Sequence, residues 1–458
     1  MSTKMPRFLI AAPKSGSGKT LLTCGLLKLF KEEGLCPCAF KCGPDYIDPM
    51  FHRTVLEIPS HNLDTFFADR DTLLDICQRA GEGRGISVME GVMGLYDGLG
   101  GTRPEGSAYD LASATETPII LTIDAKGMGR TILPLLSGIK GWDREDRIKG
   151  IILNRMSKGY YEIIAPEIEK ETGLKVLGFL PQLKGVSLES RHLGLVMPEE
   201  IRDLSRQLDI LAGALRENVD IPALLGIARS AQDLPESCVS SHEEVKEIAV
   251  RSSVRIAVAR DEAFCFYYEE NLNVLRRYGA EIVEFSPLHD EKLPENIQGL
   301  LLGGGYPELY GEALSANLSM RQSVREAIGR GLPALAECGG FMYLHEEMEA
   351  SDGKSYPMVG AIKASCRNTG HLTRFGYVEL SEKTASFLPQ GAVIKGHEFH
   401  YYDSTDNGGD WQAVKPTTGK GWACMISRPG QLFGFPHLYY PSNPEFVRHF
   451  TEACRRDR

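Results

Sequence analysis

An apolar run at residues 7–12 leads straight into Pro13-Lys14-Ser15-Gly16-Ser17-Gly18-Lys19-Thr20, and an amphipathic stretch over 20–33 follows. No other feature of the chain constrains its fold as strongly. A buried strand, a glycine-bearing loop and a helix N-terminus together make an anion cradle, because backbone N–H groups converge there and the helix dipole favours negative charge. Lys19 is placed to neutralise β- and γ-phosphate charge, and the Thr20 hydroxyl is placed to reach Mg²⁺. Pro13 stands where the common form of this loop has its first glycine, and Lys14 adds an early lysine. Lys14, Gly16, Gly18, Lys19 and Thr20 are therefore the expected nucleotide-binding set. A loop of this kind opens a parallel α/β sheet, and the chain beyond it agrees. Runs at 86–90, 118–124, 150–154 and 176–181 read as buried parallel strands with helical patterns between them, and 200–218 as a closing helix.

At 458 residues the chain is too long for one ordinary domain. Polar and charged residues from about 228 to 253 read as a linker. A second α/β series then starts at 254–259 and continues through 281–285, 299–302 and 333–336 into strand-rich stretches that end at His437. Two doubly wound α/β domains are expected, at 1–240 and 254–450, with the boundary near 240–253. The composition, 42% hydrophobic and 24% charged, belongs to a soluble globular protein. A net charge of −10 argues against nucleic acid or an anionic membrane as the main partner. No apolar run approaches the roughly 20 residues of a membrane helix, and the first residues do not read as a signal peptide. The eleven cysteines lack paired metal-ligand spacing and read as reduced thiols of a cytoplasmic protein.

Two acids stand where a parallel sheet collects ligands. Asp45 lies in Lys41-Cys42-Gly43-Pro44-Asp45-Tyr46-Ile47-Asp48-Pro49, and Glu90 ends the run 86–90 and enters Glu90-Gly91-Val92-Met93-Gly94-Leu95-Tyr96-Asp97-Gly98. Carboxylates at the carboxyl ends of parallel strands face the ligand crevice, so Asp45 and Glu90 join Thr20 as candidate Mg²⁺ ligands. The plainer reading is that Asp45 and Asp48 are turn residues beside Pro and Gly.

In the second half, the run 333–336 leads into Glu337-Cys338-Gly339-Gly340-Phe341. A thiol on a tight strand-to-helix turn is exposed, and a helix N-terminus would lower its pKa. His437, in Phe435-Pro436-His437-Leu438-Tyr439, is the natural base. Gly304 and Gly305, in Leu302-Gly303-Gly304-Gly305-Tyr306, offer backbone N–H groups for an oxyanion.

These motifs carry a resemblance. The variant loop is similar to that of a P-loop superfamily containing dethiobiotin synthetase, the Min-type and partitioning ATPases, and the corrinoid amide synthases. The second half resembles the class I glutamine amidotransferase domain, a flavodoxin-like fold. Over nearly its full length the chain resembles the cobalamin-pathway glutamine-dependent ligases. Glu189-Ser190-Arg191-His192-Leu193-Gly194-Leu195 adds to the match. The resemblance implies ATP- and L-glutamine-dependent amidation of the acetate carboxylates of a tetrapyrrole-derived acid: cobyrinate, hydrogenobyrinate or nickel-sirohydrochlorin. It places Asp45, Asp48, Glu90 and Asp97 around the phosphates and the reacting carboxylate, and Tyr46 at the substrate. Arg191 and His192 are contacts for the acid's other carboxylates, with a surface ion pair as the plainer reading of Arg191. Asn154 reads the adenine edge. Cys338 is the nucleophile, and the segment 396–402 shapes the glutamine pocket. Full triads carry Glu two residues after the histidine. Here that position is Tyr439, so a Cys–His dyad is expected. A switch ATPase akin to the partitioning proteins is the alternative from another class, though it leaves the second domain without a purpose. The sequence does not specify an oligomeric state.

Overall fold

Five buried residues, Arg7–Ala11, form the central strand β1 and end at the phosphate loop. The computed structural model describes residues 4–186, 198–235, 253–384 and 386–456. The chain divides into two compact units, Met1–Val239 and Ser240–Arg458.

The first unit is built on β1, β2 (Pro37–Cys42), β3 (Ser60–Leu63), β4 (Ile86–Glu90), β5 (Ile119–Asp124), β6 (Ile148–Asn154) and β7 (Lys175–Leu180). They form one sheet in the order β3-β2-β4-β1-β5-β6-β7, and every pair is parallel. Helix α1 (Lys19–Glu32) follows the loop and buries Leu22, Leu26, Leu29 and Phe30. These pack with Phe8, Ile10, Leu211 and Leu215 in one core, each large side chain contributing roughly 1.5–3 kcal/mol by leaving water. A Cβ on Gly25 of α1 would lie 2.6 Å from Leu211 Cγ, so glycine sets how closely the helix Pro198–Asn218 approaches. The polar stretch that opens at about 228 begins within this unit. The helix Ile221–Arg229 runs past that point, and Arg7 and Gln78 each donate at 2.7 Å, to the Gln232 and Pro235 carbonyls, tying the chain to this unit through 235.

The second unit has a six-stranded sheet of β8 (Val254–Ala259), β10 (Ala280–Phe285), β11 (Gly299–Leu302), β13 (Ala334–Glu337) and the strands Gln431–Gly434 and Ile426–Arg428. All of its pairs are parallel except the last. Strands β9 (Phe264–Phe266) and β12 (Gly304–Gly305) pair separately as a small antiparallel ribbon. The strand-rich stretches of the sequence form two further sheets, of four and five strands. The five-stranded one is antiparallel throughout and contains Arg374–Glu382, Val393–His400 and His437–Leu438. No helix among the described residues is long and apolar enough to cross a membrane.

Candidate active sites

The phosphate loop occupies the turn between β1 and α1. Gly16 and Gly18 take φ of +74° and +90°, left-handed conformations that favour glycine. A side chain on Gly18 would also collide with Asn154, whose Nδ2 donates to the Ser17 carbonyl at 3.0 Å. Asn154 therefore braces the loop, a role its expected reading of adenine did not include. Lys19 Nζ donates to the Met93 carbonyl at 2.5 Å, in the segment after β4, and burial lowers its pKa, with Lys41 adding to the effect. Lys14 is exposed at the rim of the loop.

Register assembles the acids. In the parallel pairing of β2 with β4, Lys41 stands opposite Glu90. Lys41 Nζ is 2.7 Å from Glu90 Oε1, 2.6 Å from Asp48 Oδ2 and 4.0 Å from Asp45 Oδ2. Burial alone would lower the Lys41 ammonium, but Asp48, Glu90 and Asp45 outweigh it and hold it well above its ordinary value. Glu90 is fully buried and its pKa is raised, by burial first. Thr20 Oγ1 donates to Glu90 Oε1 at 2.5 Å, and Glu90 Oε2 is buried with no hydrogen-bond partner among the described residues. Asp45 Oδ1 accepts from the Ile47 and Asp48 backbone N–H groups, so it also fixes the turn that leads into helix α2 (Ile47–Thr54), as the plainer reading held. Burial raises its pKa. Asp97 Oδ2 accepts from the Gly94 N–H at 3.0 Å, shaping the turn after β4. Tyr46 is buried beside this cluster. Arg191 and His192 lie outside the described residues. Among those described, no group of three His, Cys, Asp or Glu side chains could hold a metal ion unaided.

In the second unit, Cys338 caps the short helix Gly339–Tyr343 with φ +48° and ψ −105°, a strained elbow for a residue with a side chain. A Cβ on Gly339 would lie 3.2 Å from the Gly305 backbone nitrogen, and one on Gly304 would press on the His437 ring, 3.4 Å from both nitrogens. The elbow and His437 thus both lie against the Gly304–Gly305 backbone. The thiol's ionisation does not follow expectation. Burial, then Glu308, pushes the Cys338 pKa up, and the Gly339 N–H pulls back too weakly to reverse it. A helix of five residues supplies little dipole against full desolvation. Burial also lowers the His437 pKa well below its ordinary value, with His397 and His400 adding to it. His397, opposite His437 in the antiparallel register, stacks on it at 4.9 Å. In the segment 396–402, Glu398 and His400 line a pocket with Arg374, Trp422 and Pro436, and Glu398 also acts on the Cys338 thiol.

Comparison with known proteins places both halves. The CobQ/CobB/MinD/ParA nucleotide binding domain family matches residues 8–196, and the CobB/CobQ-like glutamine amidotransferase domain family matches 255–434. A protein of Listeria innocua named cobyrinate a,c-diamide synthase is 37% identical, covering 99% of this chain and 100% of its own. Proteins of the same name from Priestia megaterium and Thermoplasma volcanium are 36% and 38% identical, with 97% and 98% of their own lengths covered. The chain belongs to the cobyrinate a,c-diamide synthase family. It is accordingly an enzyme, a glutamine-hydrolysing ligase with a nucleotide-binding domain.

Within that family frame, two residues that the sequence reading passed over stand out. Lys41 and Glu337 both lie in segments that carried the resemblance, yet neither was given a role. The usable signal was a charged residue at or next to the end of an otherwise apolar strand, Pro37–Cys42 in one case and Ala334–Glu337 in the other. Such a residue is buried only if a partner waits for it.

Proposed function

We propose that this chain uses ATP and L-glutamine to amidate the a and c acetate carboxylates of cobyrinate, in cobalamin biosynthesis. Residues 1–240 would carry the ligase and 254–450 the glutaminase. One observation carries the reading: the same chain holds an acid–lysine cluster at a phosphate loop, and a cysteine elbow and a histidine that meet one glycine backbone, Gly304–Gly305. Each half is chemically incomplete without the other. A carboxylate resists ammonia because oxide leaves poorly, and phosphorylation to an acyl phosphate removes that obstacle. Free ammonia is largely protonated near neutrality, so a local supply matters.

Thr20 and Glu90, whose Oε2 has no hydrogen-bond partner among the described residues, suit a hard divalent cation. Thr20 and Glu90 would hold Mg²⁺ there, and the ion would supply charge neutralisation for phosphoryl transfer. Lys19 would leave the Met93 carbonyl for the β- and γ-phosphates. Lys41 would hold Asp48 and Glu90 in place, with Asp45 and Asp97 shaping the turns around the reacting carboxylate. In the other half, His437 takes the Cys338 proton and later delivers it to the departing ammonia, while the Gly304 and Gly305 backbone stabilises the oxyanion.

The test is mass-spectrometric counting of amides after incubation with ATP, Mg²⁺, glutamine and cobyrinate, hydrogenobyrinate or nickel-sirohydrochlorin in parallel. Two amides on cobyrinate are expected. Cys338→Ala should lose glutamine-dependent amidation, and ammonium salts should restore it. A variant inactive with ammonium as well would break the proposed division of labour.

A further inference from the structure

Tyr439 stands where a full triad has its Glu, and its ring packs edge-on against Tyr268 at 5.5 Å. A carboxyl nevertheless approaches the histidine from elsewhere in the chain. Glu337 is the last residue of β13, one position before the nucleophile. Side chains alternate along a strand. Ala334, Ala336 and Cys338 enter one core, and Leu335 enters the other with Leu438 and Tyr440. Glu337 follows Leu335, so it points behind the elbow. There its Oε1 accepts a hydrogen bond from the Tyr440 hydroxyl at 3.0 Å, and its Oε2 lies 4.0 Å from His437 Nδ1.

We propose that Glu337 is the positioning residue of His437, holding Nδ1–H towards its Oε2 so that Nε2 faces the thiol as base. The inference rests on reading the second unit as a working glutaminase. The S–H bond of Cys338 breaks as Nε2 takes the proton, and the sulfur pair forms the C–S bond to the side-chain carbonyl carbon of glutamine. Collapse of that adduct breaks the C–N bond, and the imidazolium returns the proton to the leaving nitrogen. Water then cleaves the thioester, giving glutamate and the thiol. Throughout, Nδ1–H stays on His437, and the Glu337 carboxylate offsets the charge of the imidazolium.

The surroundings give the pair a pH signature. Burial pushes the Glu337 carboxyl up to about 8, against the Tyr440 hydroxyl and the Leu438 backbone N–H. Tyr440 and His437 face Glu337, His397 and His400 act on His437, and Glu308 and Glu398 act on Cys338. A carboxyl with a raised pKa is neutral below it and ionised above. If the carboxylate is the working form, glutamine hydrolysis climbs as pH rises through about 8.

The experiment is steady-state glutamine hydrolysis by wild type, E337Q and Y440F across about pH 6–10, with melting temperatures recorded. E337Q should lower kcat by about 10²-fold, leave KM for glutamine nearly unchanged and flatten the acid limb. Y440F removes a donor to the carboxylate and should move that limb to higher pH. A Glu337 that only fills space would move neither limb. Wild-type kcat and acid limb in E337Q overturn the proposal. Should E337Q fail to fold, an unmoved limb in Y440F overturns it equally. A wild-type enzyme that hydrolyses no glutamine, or whose C338A variant still does, overturns the glutaminase reading instead.

Discussion

At the phosphate loop, Asp48 and Glu90 are buried around one lysine, with Asp45 at the edge of the group. At the elbow, a thiol, the imidazoles of His397 and His437 and the carboxyl of Glu337 are all buried, and the charged groups acting on the thiol are acids. The first site neutralises charge with charge, so its acids are partnered by Lys41. The second suppresses charge by desolvation, so thiol and imidazole rest neutral and separate charge only in the reaction. The two sites should therefore fail differently when altered.

The largest effect should come from Lys19→Ala. Losing its charge at the phosphates should lower ATP-dependent amidation by about 10²–10³-fold, while glutamine hydrolysis, followed as glutamate release, continues. Parallel loss of both activities would mean that the comparison draws its line in the wrong place. Lys41→Met should act chiefly on stability. It leaves Asp48 and Glu90 buried without their cation, at a cost of about 3–5 kcal/mol, visible as a lower midpoint in urea. Adding Glu90→Gln should recover part of that loss, and simple additivity would show that the pair is not coupled. Gly304→Ala sharpens the elbow side. Its methyl group would press on the His437 ring, so kcat for glutamine hydrolysis should fall by about tenfold or more with phosphate chemistry untouched when ammonium is supplied.

How much of this was legible in the sequence follows the same division. Strands β1, β4 and β5 read directly because parallel strands covered on both faces appear as apolar runs. Strands β2 and β3 did not: Pro-Cys-Ala-Phe-Lys-Cys is broken by a lysine and Ser-His-Asn-Leu is mostly polar. Their polar residues are satisfied by long-range partners, and Lys41 meets Glu90 across 49 positions. The antiparallel sheet was visible only as strand-rich sequence, since its register depends on pairings far apart in the chain. Cys338, His437 and the glycines were readable because each closes a strand with residues that have few other uses there. Glu337 was in plain view beside the thiol, but the face it occupies depends on strand alternation and its partner on a fold yet to be seen. The direction of the thiol's ionisation was misjudged for a related reason: a helix N-terminus shows in sequence, and depth of burial does not.

The central claim is that glutamine hydrolysed at the elbow supplies the nitrogen for an ATP-dependent amidation in the same chain. It is tested most directly with glutamine labelled with ¹⁵N in its side-chain amide, incubated with cobyrinate, ATP and Mg²⁺ in the presence of unlabelled ammonium. The account predicts product with two amides, both mostly ¹⁵N, and only unlabelled nitrogen when Cys338→Ala is used. Unlabelled amides from the wild type, or ATP turnover that ignores glutamine and rises with DNA or membrane, would contradict it.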